Sequence, residues 1–502
     1  MRRMMAAWLV AWLMVAGSAR VGADSRLTDA VKRGDRAALH ALLADGHDAT
    51  TPEPDGTTAL HWAVRADDVE MARMLLEAGS DAGAANRYGV TPLSLAALNG
   101  SAALMTALLD AGADANTASP EGETVLMTAA RTGRDEAVNV LLDHGAEVNA
   151  RESWFGETAL MWAAAENHAA VTAALVERGA DLNARANEIQ LPKVKVDIAT
   201  MVITALPRGG LTPLLLAARE GAVEAAAVLA RAGADLDAGD PDGTSPLVMA
   251  IINAHYDLAA RLVEYGADPD EADSSGMGAL YALVDMRTQD AMINRPFARP
   301  TGDSLSLLEA LLISGADPNL PLKTPLLARQ HNFGDGALGE GATPLMRAAK
   351  YADLPAMRLL LAHGADASRT TADGANAAMF AARRAGRNAA SVPDTIEALR
   401  LCLDRGLDVN AVSERGDTLL HIAVGAGDDV VAFLAARGAR LDLKDKAGRT
   451  PLDIALGVPG LPSGRRGGGA PTPGPVREST AALLRQLMSQ AASGADTPSP
   501  NP

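Results

Sequence analysis

The chain has 502 residues, is 48% hydrophobic but only 3% aromatic, and carries a formal charge of −17. One globular core seldom grows beyond roughly 250–300 residues, so the chain is either several domains or an array whose units touch only their neighbours. The acidity excludes a general affinity for nucleic-acid phosphates, since the nearest thing to a basic patch, Arg465-Arg466, sits in a Gly/Pro stretch.

A basic start (Met1-Arg2-Arg3), an apolar run from Met4 to Ala16 and the small residues Val21-Gly22-Ala23 open the chain. That is the pattern of a secretory signal peptide over residues 1–23. The apolar run is shorter than the ~20 residues a spanning helix needs, and no Cys follows it for lipid attachment. The expectation is a protein exported to the periplasm or the extracellular space, with no membrane insertion after signal removal. Losing residues 1–23 would remove three arginines and no acid, leaving the rest more negative still. The single cysteine, Cys402, excludes an intrachain disulfide and a Cys-based zinc site. It lies in a helical run, IEALRLCLDRG, where a small buried apolar residue is expected.

From residue 55 onward one pattern recurs: DGTTALHWAV (from Asp55), YGVTPLSLAA (Tyr88), EGETVLMTAA (Glu121), FGETALMWAA (Phe155), GGLTPLLLAA (Gly209), DGTSPLVMAI (Asp242), EGATPLMRAA (Glu340), RGDTLLHIAV (Arg415) and AGRTPLDIAL (Ala447). The hydroxyl residue before the apolar run stands at 58, 91, 124 and 158, spaced by 33, 33 and 34. Thr is an N-cap type, and Pro just inside the first turn costs nothing because that N–H is unpaired anyway. Paired small residues such as Ala96-Ala97 let helices approach closely. A second pattern follows each first one, as in LLDAGADANT (108), LLDHGAEVNA (141), LVERGADLNA (175) and LLAHGADASR (360). There a Leu-Leu pair ends a second helix, and Gly79, Gly112, Gly145 or Gly179 supplies a left-handed cap.

A unit of 33 residues with TPLH-type helices and a GAD-x-N exit resembles the ankyrin repeat. The resemblance runs from residue 24 to about 490. It implies an all-α, curved solenoid of about 11–12 turn-helix-helix repeats, whose concave face joins the outward turns and the first helices. It also implies a protein-binding scaffold.

The repeats fill residues 24–457, the first (Leu27–Thr50) reading as a cap. Insertions are expected near 185–208, 285–302, 320–340 and 384–394. The first of these, QLPKVKVDIATMVITALP, is rich in β-branched residues and reads as extended. Gly278 replaces Thr in the eighth repeat, and the tenth (DGANAAMFAARRAG) is degraded. Residues 458–476 read as a Gly/Pro linker, 477–490 as a displaced final capping helix, and 491–502 as a disordered tail.

Catalysis needs convergent polar groups outside the repeat pattern, and none stands out. His61 and His421 occupy the His of the TPLH-type motif, where the resemblance implies a tie between successive turns. His144 and His363 fall at helix ends beside Gly. His331, Asp335 and Glu340 in one inserted loop read as solvated rather than metal-binding. The clusters Asp235, Asp237, Asp240, Asp242 and Asp268, Asp270, Glu271, Asp273 miss the calcium-loop spacing; they read as repeat-encoded turn residues, or else as an acidic ridge that steers a basic partner. No G-x-S-x-G, phosphate loop or H-E-x-x-H occurs. The reading is therefore no enzyme, no cofactor and no metal.

The resemblance places partner contacts at turn residues flanking the motif Gly and at the two residues after the paired small ones. On the turns these include Arg87, Tyr88, Glu121, Glu123, Trp154, Phe155 and Glu157; on the helices they include Arg65, Arg131, Arg219, Glu220, Lys350 and Tyr351. Trp154 and Phe155 are adjacent aromatics in a chain with five Trp and five Phe. Either they anchor a partner, or they pack over the 185–208 insertion. The insertions at 185–208 and 320–340 would lengthen two fingers and narrow the groove between them. The leading expectation is a monomeric exported scaffold that holds a protein partner. The alternatives are a secreted effector or toxin-like protein engaging another cell, and a ligand- or metal-binding protein built in the inserted loops.

Overall fold

The computed structural model describes residues 25–189, 196–198, 201–203, 208–288, 300–325, 338–383, 390–460 and 473–494. Residues 1–24, which include the expected signal peptide, much of each expected insertion, most of the expected Gly/Pro linker and the residues after Gly494 lie outside the described residues. The chain divides into two compact units, residues 1–153 and 154–502.

In the first unit four helix pairs follow one another: α1 (Arg26–Lys32) with α2 (Arg36–Ala44), α3 (Ala59–Arg65) with α4 (Val69–Glu77), α5 (Pro92–Asn99) with α6 (Ala102–Asp110), and α7 (Val125–Thr132) with α8 (Asp135–Asp143). The sequence dictates where they start. Thr91 Oγ1 accepts from the Ser94 N–H at 3.2 Å and Thr124 Oγ1 from the Met127 N–H at 3.2 Å, so a hydroxyl fills an orphan donor at each helix start. Second helices open on Asp35 and Asp68, whose carboxylates accept from the N–H groups of Ala38 (2.9 Å) and Met71 (3.0 Å). They end on glycine. Gly112 takes φ +95°, and the Ala113 N–H reaches back to the Leu108 carbonyl at 2.9 Å, satisfying a carbonyl the helix leaves open.

First helices pack side by side as one layer (α1, α3, α5, α7), and second helices as another (α2, α4, α6, α8). Between the layers Leu60, Leu75, Leu93, Leu104 and Leu108 are fully buried. Each such side chain stabilises by about 1.5–3 kcal/mol relative to exposure. Ala63, Ala96, Ala97, Ala129 and Ala130 are also at 0% exposure, which is why aromatics are scarce: the layers approach too closely to hold them.

The second unit repeats the scheme eight times among the described residues, beginning with α9 (Ala159–Ala165) and α10 (Ala169–Glu177). The insertion then interposes β1 (Glu188–Ile189), β2 (Val196–Ile198), β3 (Met201–Ile203) and β4 (Arg208–Gly209). β1 pairs antiparallel with β4, Glu188 opposite Gly209, and β2 with β3, Val196 opposite Ile203. The pairs resume with α11 (Pro213–Glu220) and α12 (Val223–Arg231), α13 (Pro246–Ile252) and α14 (Tyr256–Tyr265), and α15 (Ala279–Arg287) and α16 (Ser304–Ile313). They continue with α17 (Pro344–Lys350) and α18 (Leu354–Ala362), α19 (Ala377–Ala382) and α20 (Val392–Leu403), α21 (Leu419–Ala423) and α22 (Asp428–Ala436), and α23 (Pro451–Ala455) and α24 (Glu478–Gly494). First helices again neighbour first helices, and second helices neighbour second.

Three element ends differ from the sequence reading. α15 runs to Arg287, into the stretch assigned to an insertion from 285, because Arg287 replaces the helix-ending Gly found at Gly100, Gly133 and Gly221. α20 starts at Val392, inside the 384–394 stretch: Ser391 Oγ accepts from the Asp394 N–H at 3.1 Å, and Pro393 suits a first turn. α24 continues past 490 to Gly494, since Gln490, Ala491 and Ala492 favour helix and Gly494 is the first residue that does not. Gly278 leaves α15 without a side-chain cap.

Candidate partner-binding surface

Each unit exposes an edge of turns and an adjoining face of first helices. In the first unit, turns are joined to turns by backbone bonds: the Arg87 N–H donates to the Asp55 carbonyl (2.9 Å), and the Ser153 N–H to the Glu121 carbonyl (2.8 Å). Pro120 has no N–H to offer Tyr88, so that rung is absent. The motif histidine adds a second tie. His61 Nε2 lies 3.0 Å from the Val90 carbonyl, while Nδ1 receives the Thr58 N–H at 3.1 Å. His421 repeats this in the second unit, with Nε2 3.0 Å from the Arg449 carbonyl. Both imidazoles are buried and structural, as the resemblance implies.

On this frame the sequence-derived contact residues of the first unit take definite positions. Arg87 is exposed with its guanidinium 4.8 Å over the half-buried Tyr88 ring. Exposed Arg65 lies 5.3 Å over the Trp62 ring. Glu121 is exposed at a turn tip, whereas Glu123 is half-buried, 3.4 Å from Arg131 and accepting from Thr128 Oγ1 at 2.8 Å. These residues share the turn edge and the first-helix face of one unit.

In the second unit Trp154 is 70% exposed, while Phe155 is half-buried. The Asn187 N–H donates to the Phe155 carbonyl at 2.5 Å, one residue before β1, so the turn bearing both aromatics is braced by the start of the insertion. The insertion holds the Trp154 backbone without burying its indole. Glu157 is half-buried on the same turn. Arg219 and Glu220 are exposed and pair with each other at 3.1 Å. Lys350 and Tyr351 are half-buried; Arg347 lies 4.5 Å and Lys350 5.4 Å over the Tyr351 ring. The structure thus places Trp154, Phe155 and Glu157 together and Lys350 and Tyr351 together, four repeats' worth of elements apart in chain order. The 326–337 finger lies outside the described residues.

Sequence reasoning missed the residue four after each first-helix cap. Counting from Thr58, Thr158 and Thr343, that position holds Trp62, Trp162 and Arg347. Trp62 Nε1 donates to Glu53 (2.8 Å), and Lys32 Nζ sits 4.4 Å above its ring. Arg347, 4% exposed, pairs with fully buried Asp285 at 2.9 Å. Beside it Arg287 grips Asp353 through two bonds of 2.8 Å and Ser304 Oγ through one of 2.6 Å. The position was readable from the repeat register; its occupants' burial was not.

The acidic turn clusters serve the backbone. Asp235 Oδ1 accepts from the Asp237 N–H, Asp240 Oδ1 from Asp242 and Thr244, and Asp273 Oδ1 from Ser275 and Met277, at 2.8–3.1 Å. Burial raises the Asp240 carboxyl above its ordinary range against those hydrogen bonds. Among the described residues no group of three His, Cys, Asp or Glu is arranged to hold a metal; His331 and Asp335 lie outside them. Cys402 is buried and its thiol is pushed up to about 12 by desolvation, as a packing residue should be. No helix of the described residues is long and apolar enough to cross a membrane.

Stacked helix pairs joined by capped turns define a repeat scaffold that presents surface rather than a closed pocket. A family model described as ankyrin repeats, three copies, matches residues 27–119, 95–186, 195–273, 298–392 and 387–458, well over half the chain. The chain belongs to the ankyrin repeat family. Ankyrin repeats generally mediate protein–protein interaction, and the family is generally non-catalytic. A palmitoyltransferase, AKR1 of Lachancea kluyveri, is 36% identical over 122 residues, covering 24% of this chain; the chain spans 16% of the length of that relative. The crystal structure of the human ASB11 ankyrin repeat domain is similar over 48% of this chain and 98% of that one, at 25% identity and a TM-score of 0.39.

Proposed function

We propose that the protein is an exported scaffold that holds a protein partner on the face made by its turns and first helices, the concave face of the family, and catalyses no reaction on it. The observation that carries this reading is Trp154: a large aromatic, 70% exposed, at a turn whose backbone is braced by Asn187. An ordered turn that leaves an indole in water has the character of an interface anchor, because rigid aromatics bury much area at small entropic cost. The absence of a convergent acid, base and nucleophile in the sequence supports a binding role. Export rests on the basic, apolar and small-residue succession of residues 1–23.

The test is affinity capture from the native envelope fraction by the tagged chain, with mass spectrometry, comparing wild type with Trp154→Ala/Phe155→Ala. Loss of one specific partner from the double variant supports the reading. Equal recovery by both removes this surface. Fractionation of the full-length chain and of one lacking residues 2–23 tests export: retention of both in the cytoplasm overturns it.

A further inference from the structure

The first-helix face of the first unit carries a row at one repeat position, seven residues after each cap: Lys32, Arg65, Leu98 and Arg131. α1, α3, α5 and α7 stand side by side, so equivalent positions fall on one face. Trp62 confirms the juxtaposition, its ring lying under Lys32 of α1 (4.4 Å) and Arg65 of its own helix (5.3 Å). The three cations are at least partly exposed, and Leu98 is 41% exposed. A cleft lined by Val31, Lys32, Trp62, Arg65 and Ala66 opens here, with a volume of about 370 Å³.

We propose that this row binds an extended acidic peptide segment, with carboxylates on Lys32, Arg65 and Arg131 and one apolar side chain on Leu98. This rests on the turn and first-helix face being the partner surface, and adds the partner's chemistry. Packed helices lie about 8–10 Å apart, and an extended chain rises about 3.3 Å per residue, so one repeat matches about three peptide residues. The row therefore reads acid-x-x-acid-x-x-apolar-x-x-acid. Arg65 has no carboxylate partner among the described residues. Lys32 and Arg131 are held upright by Glu53 (2.5 Å) and Glu123 (3.4 Å), partly exposed pairs of small energy that can exchange for an incoming carboxylate. The chain's overall charge of −17 opposes an acidic ligand at long range, so selectivity rests on contacts within a Debye length of about 10 Å. α9, the next first helix in the chain, does not carry the row: seven residues after Thr158 stands Ala165.

The experiment measures fluorescence anisotropy of a labelled Glu-Gly-Gly-Glu-Gly-Gly-Leu-Gly-Gly-Glu peptide with the full chain. Its Gln counterpart, its Lys counterpart and a single-stranded oligonucleotide serve as the other probes. Binding of the Glu peptide, weakened tenfold or more by Arg65→Glu and unchanged by Ala165→Glu, supports the proposal. Equal binding of the Gln peptide, preference for the Lys peptide or the oligonucleotide, or indifference to Arg65→Glu overturns it. Failure here with persistent Trp154-dependent capture sinks only the acidic-segment inference; failure of capture with peptide binding retained sinks only the Trp154 surface.

Discussion

The guanidinium of Arg347 on α17 lies 2.9 Å from the carboxylate of Asp285 on α15, and the two side chains are 4% and 0% exposed. Arg347 Nε also donates to Thr288 Oγ1 at 2.9 Å. Removing one member of a buried pair strands the other's charge, at a cost of about 3–5 kcal/mol, whereas replacing both by apolar residues of similar volume is often neutral or better. Arg347→Met alone should therefore destabilise the second unit by about that amount, and Asp285→Leu/Arg347→Met together should recover most of it. Urea unfolding followed by circular dichroism checks this. A double variant as unstable as the single would mean that the pair itself holds α15 to α17.

His61 gives the first unit a pH dependence. Its pKa lies below the ordinary value of 6.5, first because burial disfavours the imidazolium, against the raising effects of the Val90 carbonyl and Asp55. A depressed folded-state pKa contributes stability that is present above 6.5 and lost as pH falls through the folded value. The geometry agrees: the Thr58 N–H is directed at Nδ1 at 3.1 Å, and a proton on that nitrogen would meet it head-on. Lowering pH from neutral toward 5 should weaken the first unit, and His61→Gln should flatten that slope while costing roughly 1 kcal/mol at neutral pH. An unchanged pH slope in the variant would exclude His61 as its source.

The repeat frame was legible in the sequence because each cap, Pro and Gly acts locally: Thr91, Pro92 and Gly112 do what their types prescribe wherever the chain goes. The insertion bounds near 285–302 and 384–394 follow only from excess length between repeats, which does not say where a helix ends; Arg287 and Ser391 set the ends of α15 and α20 locally. The site was legible only in part. Position alone identified Trp154 and Arg65 as surface residues, but the burial of Asp285 and Arg347 depends on side chains from two helices 62 positions apart in the chain. No local pattern encodes that meeting.

The GAD-x-N exits supply a stabilising substitution. Asn116, Asn319 and Asn410 each accept an N–H of the next exit and donate to a glycine carbonyl, at 3.3 Å to Gly145, 3.0 Å to Gly364 and 3.2 Å to Gly438. At Asp237 and Asp270 the acceptor role survives, taking the N–H groups of Asp268 and Asp317, but an ionised carboxylate donates nothing. Both carboxyls are raised, first by burial and further by the neighbouring acids. Stability tied to a raised carboxyl is complete below the unfolded value of 3.8 and lost as pH rises through the folded one, so neutral pH is the unfavourable side. Asp237→Asn and Asp270→Asn should each stabilise by about 0.5–1.5 kcal/mol at pH 7, and the gain should shrink toward pH 4. Thermal unfolding at the two pH values decides it; a gain independent of pH would point to the added hydrogen bond alone.

Two glycines with similar backbone separate conformational strain from crowding. Gly112 has φ +95° with nothing within 4 Å of a added Cβ, whereas at Gly341, φ +85°, a Cβ would stand 2.9 Å from the Thr370 carbonyl oxygen and 3.1 Å from Thr371 Cα. Gly112→Ala bears only the left-handed penalty of about 1–2 kcal/mol. Gly341→Ala must in addition push the next turn away, and the Ala372 N–H bond to the Glu340 carbonyl (2.8 Å) resists that movement. The Gly341 variant should therefore lose clearly more stability, and amide exchange at Ala372 should quicken in it. Equal losses from the two variants would mean that neighbouring turns yield freely, and that these backbone rungs do little to hold one repeat against the next.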